Sequence, residues 1–232
     1  MRVLARRAGY VLFLVLGLCA TVQAGRDSFE QRMQPCAACH GDQGRATEDG
    51  YYPRIAGKPA GYLYEQLLNF RGGQRQHAQM TYLVERQRDD YLRQMAAHFA
   101  AVQLPYPAPP PARVDTRVLE RGEALARQGI AARDVPACAS CHGAALTGIE
   151  PAVPGLLGLP YDYLAAQLGA WQQDVRHARA PDCMAQIAQA LAPADIEAVA
   201  AWLAAQTVPV NAKAVVEPIA SRLECGSWAP RP

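Results

Sequence analysis

Two short stretches carry the reactive side chains of this chain. "PCAACHGDQG" starts at Pro35, and "PACASCHG" starts at Pro136. Each places two cysteines either side of a two-residue spacer, followed at once by a histidine and a glycine: Cys36, Cys39 and His40, then Cys138, Cys141 and His142. Three chemistries compete for this pattern. Two CxxC knuckles can give four thiolates to one zinc ion. That reading leaves the histidine after each pair unexplained and joins knuckles about a hundred residues apart. A redox dithiol of the thioredoxin kind follows a strand in a βαβ unit, and no such pattern surrounds either motif. In the third reading the cysteines form thioethers to the two vinyl groups of a haem, and the histidine becomes the proximal iron ligand. One helical turn sets the sulfurs at neighbouring vinyls and points the next imidazole at the metal. Only this reading uses all three residues, and it uses them twice.

An iron held on one side by histidine needs its sixth position filled or open. A methionine closes it for electron transfer, whereas an open site suits peroxide chemistry. Met80 follows His40 by 40 residues and Met184 follows His142 by 42. Both are expected in loops before the last helix of their unit, and both are candidate axial ligands. Met33 precedes its motif, and Met95 falls on a helix opposite Val199 of the other unit, so neither suits. His77 and His177 are the rivals, and His98 reads as a packing residue. Pro53 and Pro154 sit where a loop must pass the proximal imidazole. Their carbonyls are placed either to accept the histidine Nδ1–H or simply to form a turn.

Matched positions exist because the chain is written twice. "PRIAGKPAGYLYEQLLNFRGGQR" from Pro53 aligns with "PGLLGLPYDYLAAQLGAWQQDVR" from Pro154, with Tyr62, Gln66 and Arg75 meeting Tyr163, Gln167 and Arg176. Met80–Ala100 then aligns with Met184–Ala204 without a gap. The expected division is a first unit over 25–104, a proline-rich connector over 105–116, a second unit over 117–209 and a tail over 210–232. Five prolines between the units favour an extended, stiff connector. Helical spacing and stop signals predict an all-α chain. Helices are expected before each CxxCH, around 61–70 and 161–171, and over 89–102 and 193–206, with no convincing strand.

Residues 1–24 read as a secretory signal: a basic start (Arg2, Arg6, Arg7), a short apolar run and a small-residue end at Ala24. The run is short for a retained anchor, and Leu18 is a poor neighbour for a lipidated Cys19. Without the three arginines of the leader, the formal charge of +2 becomes slightly negative. That disfavours a nucleic-acid binder, which needs a concentrated basic face. Seven cysteines become six on export. Four belong to the two motifs. Cys183 and Cys225 remain and could pair in an oxidising compartment. Half the sequence is hydrophobic but only 7% is aromatic. A core so rich in alanine is thin unless something bulky and apolar fills it.

CxxCHG, then Pro-x-x-x-Gly-x-Pro-x-x-Tyr-Leu-x-x-Gln-Leu, then arginine, methionine and a closing helix: this order resembles the class-I cytochromes c. The duplication is similar to the dihaem cytochromes of the c-four type, over nearly all of 28–205. The resemblance implies two tandem class-I domains, each wrapped around a covalent haem c with His40/Met80 or His142/Met184 on the iron. It implies a periplasmic carrier of single electrons, fed by a cytochrome bc complex or a dehydrogenase and drained by a terminal oxidase, with no small-molecule substrate. A subunit docked to a dehydrogenase and a dihaem peroxidase are the alternatives. The three-residue insertion with Pro181 and Cys183, and the tail after Val210, depart from the family pattern. A Cys183–Cys225 bond would staple that tail beside Met184.

Overall fold

A computed structural model describes residues 28–228; the predicted leader, residues 1–24, lies outside them. Of the described residues, those up to Arg32 form one unit, in which helix α1 spans Phe29–Arg32. Those from Met33 onward form the other.

The second unit is built from helices, as the apolar periodicity requires. The first copy supplies α2 (Gln34–His40), α3 (Ala60–Arg71), α4 (Ala78–Val84) and α5 (Asp89–Ala101). The second supplies α6 (Thr116–Gln128), α7 (Ala139–His142), α8 (Tyr161–Gln172), α9 (Cys183–Ala190) and α10 (Pro193–Ala204). One element departs from the all-helical expectation. Gly148–Ile149 (β1) and Val153–Pro154 (β2) form a small antiparallel hairpin. Its strands are two residues long, too short to leave an alternating pattern in the sequence.

Helix α6 starts where Asp115 accepts the Val118 N–H at 3.0 Å, an ordinary N-cap. It packs across α10. The two backbones meet at Gly122, where any side chain would strike Ala198 and Trp202. Asp195, in the first turn of α10, is fully buried. Its carboxylate accepts the Ala192 N–H at 2.9 Å and pairs with Arg121 on α6 and Arg133. Burial alone would raise this carboxyl, but those three donors hold it below the ordinary range. Leu125, Leu146, Leu164 and Trp202 anchor the apolar core between these helices. In the first copy α3 packs on α5 and α4.

The copies meet along α3 and α8, through residues that the repeat duplicates. Gln66 Oε1 accepts from its own Arg75 at 2.9 Å and from Arg176 of the other copy at 3.0 Å. Gln167 Oε1 accepts from its own Arg176 at 2.6 Å and from Arg75 at 2.9 Å. Arg75 also donates to the Tyr163 hydroxyl at 2.9 Å, and Tyr62 hydrogen-bonds Arg176. Swapping the copies reproduces the network, so it is a local twofold seam. Lys58 Nζ reaches across to the Gly155 carbonyl at 2.8 Å, and the Gly61 N–H to Pro151 O at 3.1 Å.

Candidate haem sites

Each site begins with its CxxCH. In the first, α2 carries Cys36, Cys39 and His40 on two helical turns with Pro35 at the start, where a missing N–H costs nothing. In the second, Cys138 precedes α7, which carries Cys141 and His142. A glycine then follows the histidine for a geometric reason. Gly41 and Gly143 have φ of +72° and +83°. They turn the chain away at once, and a Cβ at Gly41 would collide with the Ala46 carbonyl.

The histidines are oriented by the loop that passes them. His40 Nδ1 donates to Pro53 O at 2.9 Å, and His142 Nδ1 donates to Pro154 O at 2.7 Å. Of the two sequence readings of these prolines, the carbonyl acceptor is the observed one. This bond fixes the tautomer with Nε2 as the free lone pair, which is the atom an iron takes. Both imidazoles are buried, and burial pushes their pKa below the ordinary histidine value, which keeps them neutral.

The four motif cysteines are unpaired, while Cys183 and Cys225 form the expected disulfide with Cα atoms 5.2 Å apart. Cys39 is half-buried and touched by the Tyr52 hydroxyl, whereas Cys141 is buried. Burial raises the Cys138 thiol to about 11, so it is not a ready thiolate for redox chemistry.

Met80 and Met184 differ from expectation in one respect. They lie not in loops but on short helices, α4 and α9. His77 provides the extended residue before α4, and Asp182 caps α9 by accepting the Ala185 N–H at 3.0 Å. Neither helix has the length or apolar stripe that would reveal it in the sequence. α4 packs on α3 and α9 on α8, which leaves both methionines half-buried. His77 is enclosed by Tyr51, Tyr52 and Phe70, with a buried Nδ1 that has no hydrogen-bond partner. His177 sits at the seam, its N–H on Gln74 O at 2.7 Å. His98 lies half-buried on α5 with its ring edge-on to that of Phe99.

The seam explains what the sequence reading missed. Arg75 and Arg176 are both buried, at 9% and 6% exposure, and stack over Phe70 and Trp171. Among the described residues neither forms an ion pair with a carboxylate. Burial and the neighbouring Arg75 charge push Arg176 down to about 10. The Trp171 Nε1–H is buried without an acceptor. Two buried cations with neutral partners, beside an unsatisfied indole donor, fit a buried group that carries carboxylates. The propionates of haem have that chemistry. The signal was present in the repeat: Gln66/Gln167 and Arg75/Arg176 are polar pairs kept identical between the copies.

Two helical units, each with a paired-cysteine and carbonyl-held histidine site, define a dihaem c-type cytochrome. The cytochrome c family model matches residues 119–207. The chain is 35% identical over 176 residues to the thiosulfate dehydrogenase electron acceptor of Stutzerimonas stutzeri, covering 73% of this chain and 77% of that one. It is 31% identical over 196 residues to cytochrome c4 of Pseudomonas aeruginosa, covering 83% of this chain and 94% of that one. Among solved structures, reduced cytochrome c4 from Pseudomonas stutzeri aligns with a TM-score of 0.67 at 26% identity, over 77% of this chain and 96% of that one. Thiosulfate dehydrogenase from Marichromatium purpuratum also aligns at 0.67, with 36% identity over 74% of this chain; the match spans only 36% of that protein. The chain belongs to the cytochrome c4 family of dihaem class-I cytochromes c. It carries two covalently attached haem c groups and transfers electrons between redox proteins rather than transforming a substrate. When bound, each haem supplies an iron that gains or loses one electron at a time.

Proposed function

We propose that this protein accepts electrons from a thiosulfate-oxidising dehydrogenase and passes them on through two His/Met haems. The observation that carries the reading is the 35% identity to a thiosulfate dehydrogenase electron acceptor, over 73% of this chain and 77% of that one. In this reading Cys36, Cys39, Cys138 and Cys141 hold the haems, His40 and His142 are the proximal ligands, and Met80 and Met184 fill the sixth positions. The haem domains are 25–104 and 117–209, joined by 105–116 and followed by the tail 210–232. Residues 1–24 direct export to the periplasm. A cytochrome bc complex is the alternative donor and a terminal oxidase the final acceptor.

The residues divide the work. Pro53 and Pro154 orient the imidazoles, the arginine seam meets the propionates, and the methionine helices complete the ligand field. A methionine ligand raises the potential relative to a second histidine, which suits acceptance of electrons. The test is stopped-flow reduction of the ferric protein by thiosulfate with thiosulfate dehydrogenase. Rapid reduction of both haems only when the enzyme is present supports the pairing. Failure of that reduction, with normal reduction by a cytochrome bc complex, would reassign the donor.

A further inference from the structure

The two CxxCH sites differ in the chain that runs over them. After α10 the chain does not leave the second domain but returns across its cysteine face. Val215 joins the hairpin, its N–H on Gly148 O at 3.0 Å and its carbonyl accepting from Glu150 N at 2.8 Å. The Ala220 N–H then reaches Ser140 O at 3.0 Å, between the two haem cysteines, and Ser221 hydrogen-bonds Cys141. The Cys183–Cys225 bond and the Gly226 N–H on Pro181 O at 2.9 Å tie the far end to the methionine helix α9. Residues 213–226 thus form a strap from the CxxCH to the helix of Met184.

In the first copy the segment after α5 goes elsewhere. Arg54 donates to the carbonyls of Leu104 and Pro105 and draws that segment to the seam. The first copy instead exposes Tyr51, Tyr82 and Leu83, at 63%, 77% and 44%. Tyr51 packs on His77, directly before α4, and Tyr82 and Leu83 lie on α4 beside Met80. The matching positions of the second copy are Ala152, buried beside Gly61 of the first copy, an exposed Gln186 and a half-buried Ile187.

We propose that the C-terminal strap closes the second haem site to other proteins, so that redox partners exchange electrons with this chain at the Tyr51–Tyr82–Leu83 face of the first domain. The occupant is a one-electron redox protein with an apolar rim around its own cofactor. The charges next to the face are already paired within the chain, Arg88 with Asp90 at 2.8 Å and Arg71 with Asp89 at 2.6 Å. They select neither a strongly acidic nor a strongly basic partner, so docking depends weakly on salt. The partner loses one electron and the first domain gains it; no bond forms or breaks. The second domain is then reached from within the chain, across the seam. The proposal holds whichever redox protein is the donor.

The test measures stopped-flow electron exchange of the full holoprotein with a monohaem cytochrome c as probe. Leu83→Glu places a charge in the proposed face and should slow the second-order rate about tenfold, whereas Gln186→Glu should leave it within about twofold. In a Cys183→Ser/Cys225→Ser variant, or one ending at Val210, the second face opens and Leu83→Glu should cost less than about threefold. A readout independent of turnover is amide hydrogen exchange with a redox-inert, zinc-substituted probe. Protection should appear at 50–52 and along α4, not at 138–142. Equal slowing by Gln186→Glu and Leu83→Glu, or protection centred on 138–142 and α9, would overturn the proposal.

Discussion

The twofold seam makes a prediction whose size follows from its bonds. Gln167→Leu removes the acceptor of two guanidinium N–H groups, Arg75 at 2.9 Å and Arg176 at 2.6 Å. A hydrogen bond to a charged group contributes about 1.5–3 kcal/mol, and a buried donor left without a partner costs a similar amount. The gross loss is about 3–6 kcal/mol. Arg75 keeps Tyr163 and both arginines keep Gln66, which holds the net cost near the lower end. About 3 kcal/mol lowers the melting temperature by roughly 6–12 °C at this chain length. The repeat adds a stricter demand. Gln66 accepts the same two arginines, so Gln66→Leu should cost the same within about 1 kcal/mol. Gln94→Leu, on the exposed side of α5, should change stability by less than about 0.5 kcal/mol. Calorimetric melting of the three ferric holoproteins decides it. If Gln167→Leu melts with Gln94→Leu, or if the two seam variants differ by several kcal/mol, the seam is not a shared twofold network.

Burial pushes the Lys58 amine down to about 7 from an ordinary 10.5, so between those values the unfolded chain binds a proton that the folded one refuses. Stability therefore rises as pH climbs from 7 to 10.5, by up to about 5 kcal/mol, and Lys58→Met should flatten that rise in denaturant titrations of the ferrous protein. Asp195 carries the opposite sign. Its lowered carboxyl contributes stability that is present above the ordinary carboxylate range and is lost as pH falls below it. Asp195→Ala, which removes the buried acceptor of the Ala192 N–H and the carboxylate that the part-exposed Arg121 and Arg133 meet, should cost about 1–3 kcal/mol at neutral pH, read by guanidinium unfolding. Reducing the Cys183–Cys225 bond, which closes a loop over a sequence separation of 42, should remove about 4 kcal/mol by the chain-entropy model, read as a fall in melting temperature with dithiothreitol.

The sequence disclosed most about what is covalent or periodic. The CxxCH pairs define their chemistry by residue type and spacing, and the repeat singles out Met80 and Met184 from five methionines. The carbonyls of Pro53 and Pro154 were only half legible: the sequence allowed either an acceptor for the imidazole or a plain turn, and the geometry shows the acceptor. Short elements were not legible. α4 and α9 are about two turns each, set by tertiary contacts rather than by propensity, and the hairpin strands are two residues each. The strap was half visible. Cys225 announced its end, but backbone bonds at Val215 and Ala220 belong to no side-chain pattern. The seam was visible as identical polar residues, yet only the fold shows that each glutamine serves both arginines.

The most direct test of the dihaem carrier is the visible spectrum of the ferric protein, quantified per iron. The weak band at the red end reports a methionine–iron bond. Two haems with two such bonds are predicted, one lost in Met80→Ala and the other in Met184→Ala. A high-spin haem in the unaltered protein, or a band that survives both substitutions together, would contradict the assignment.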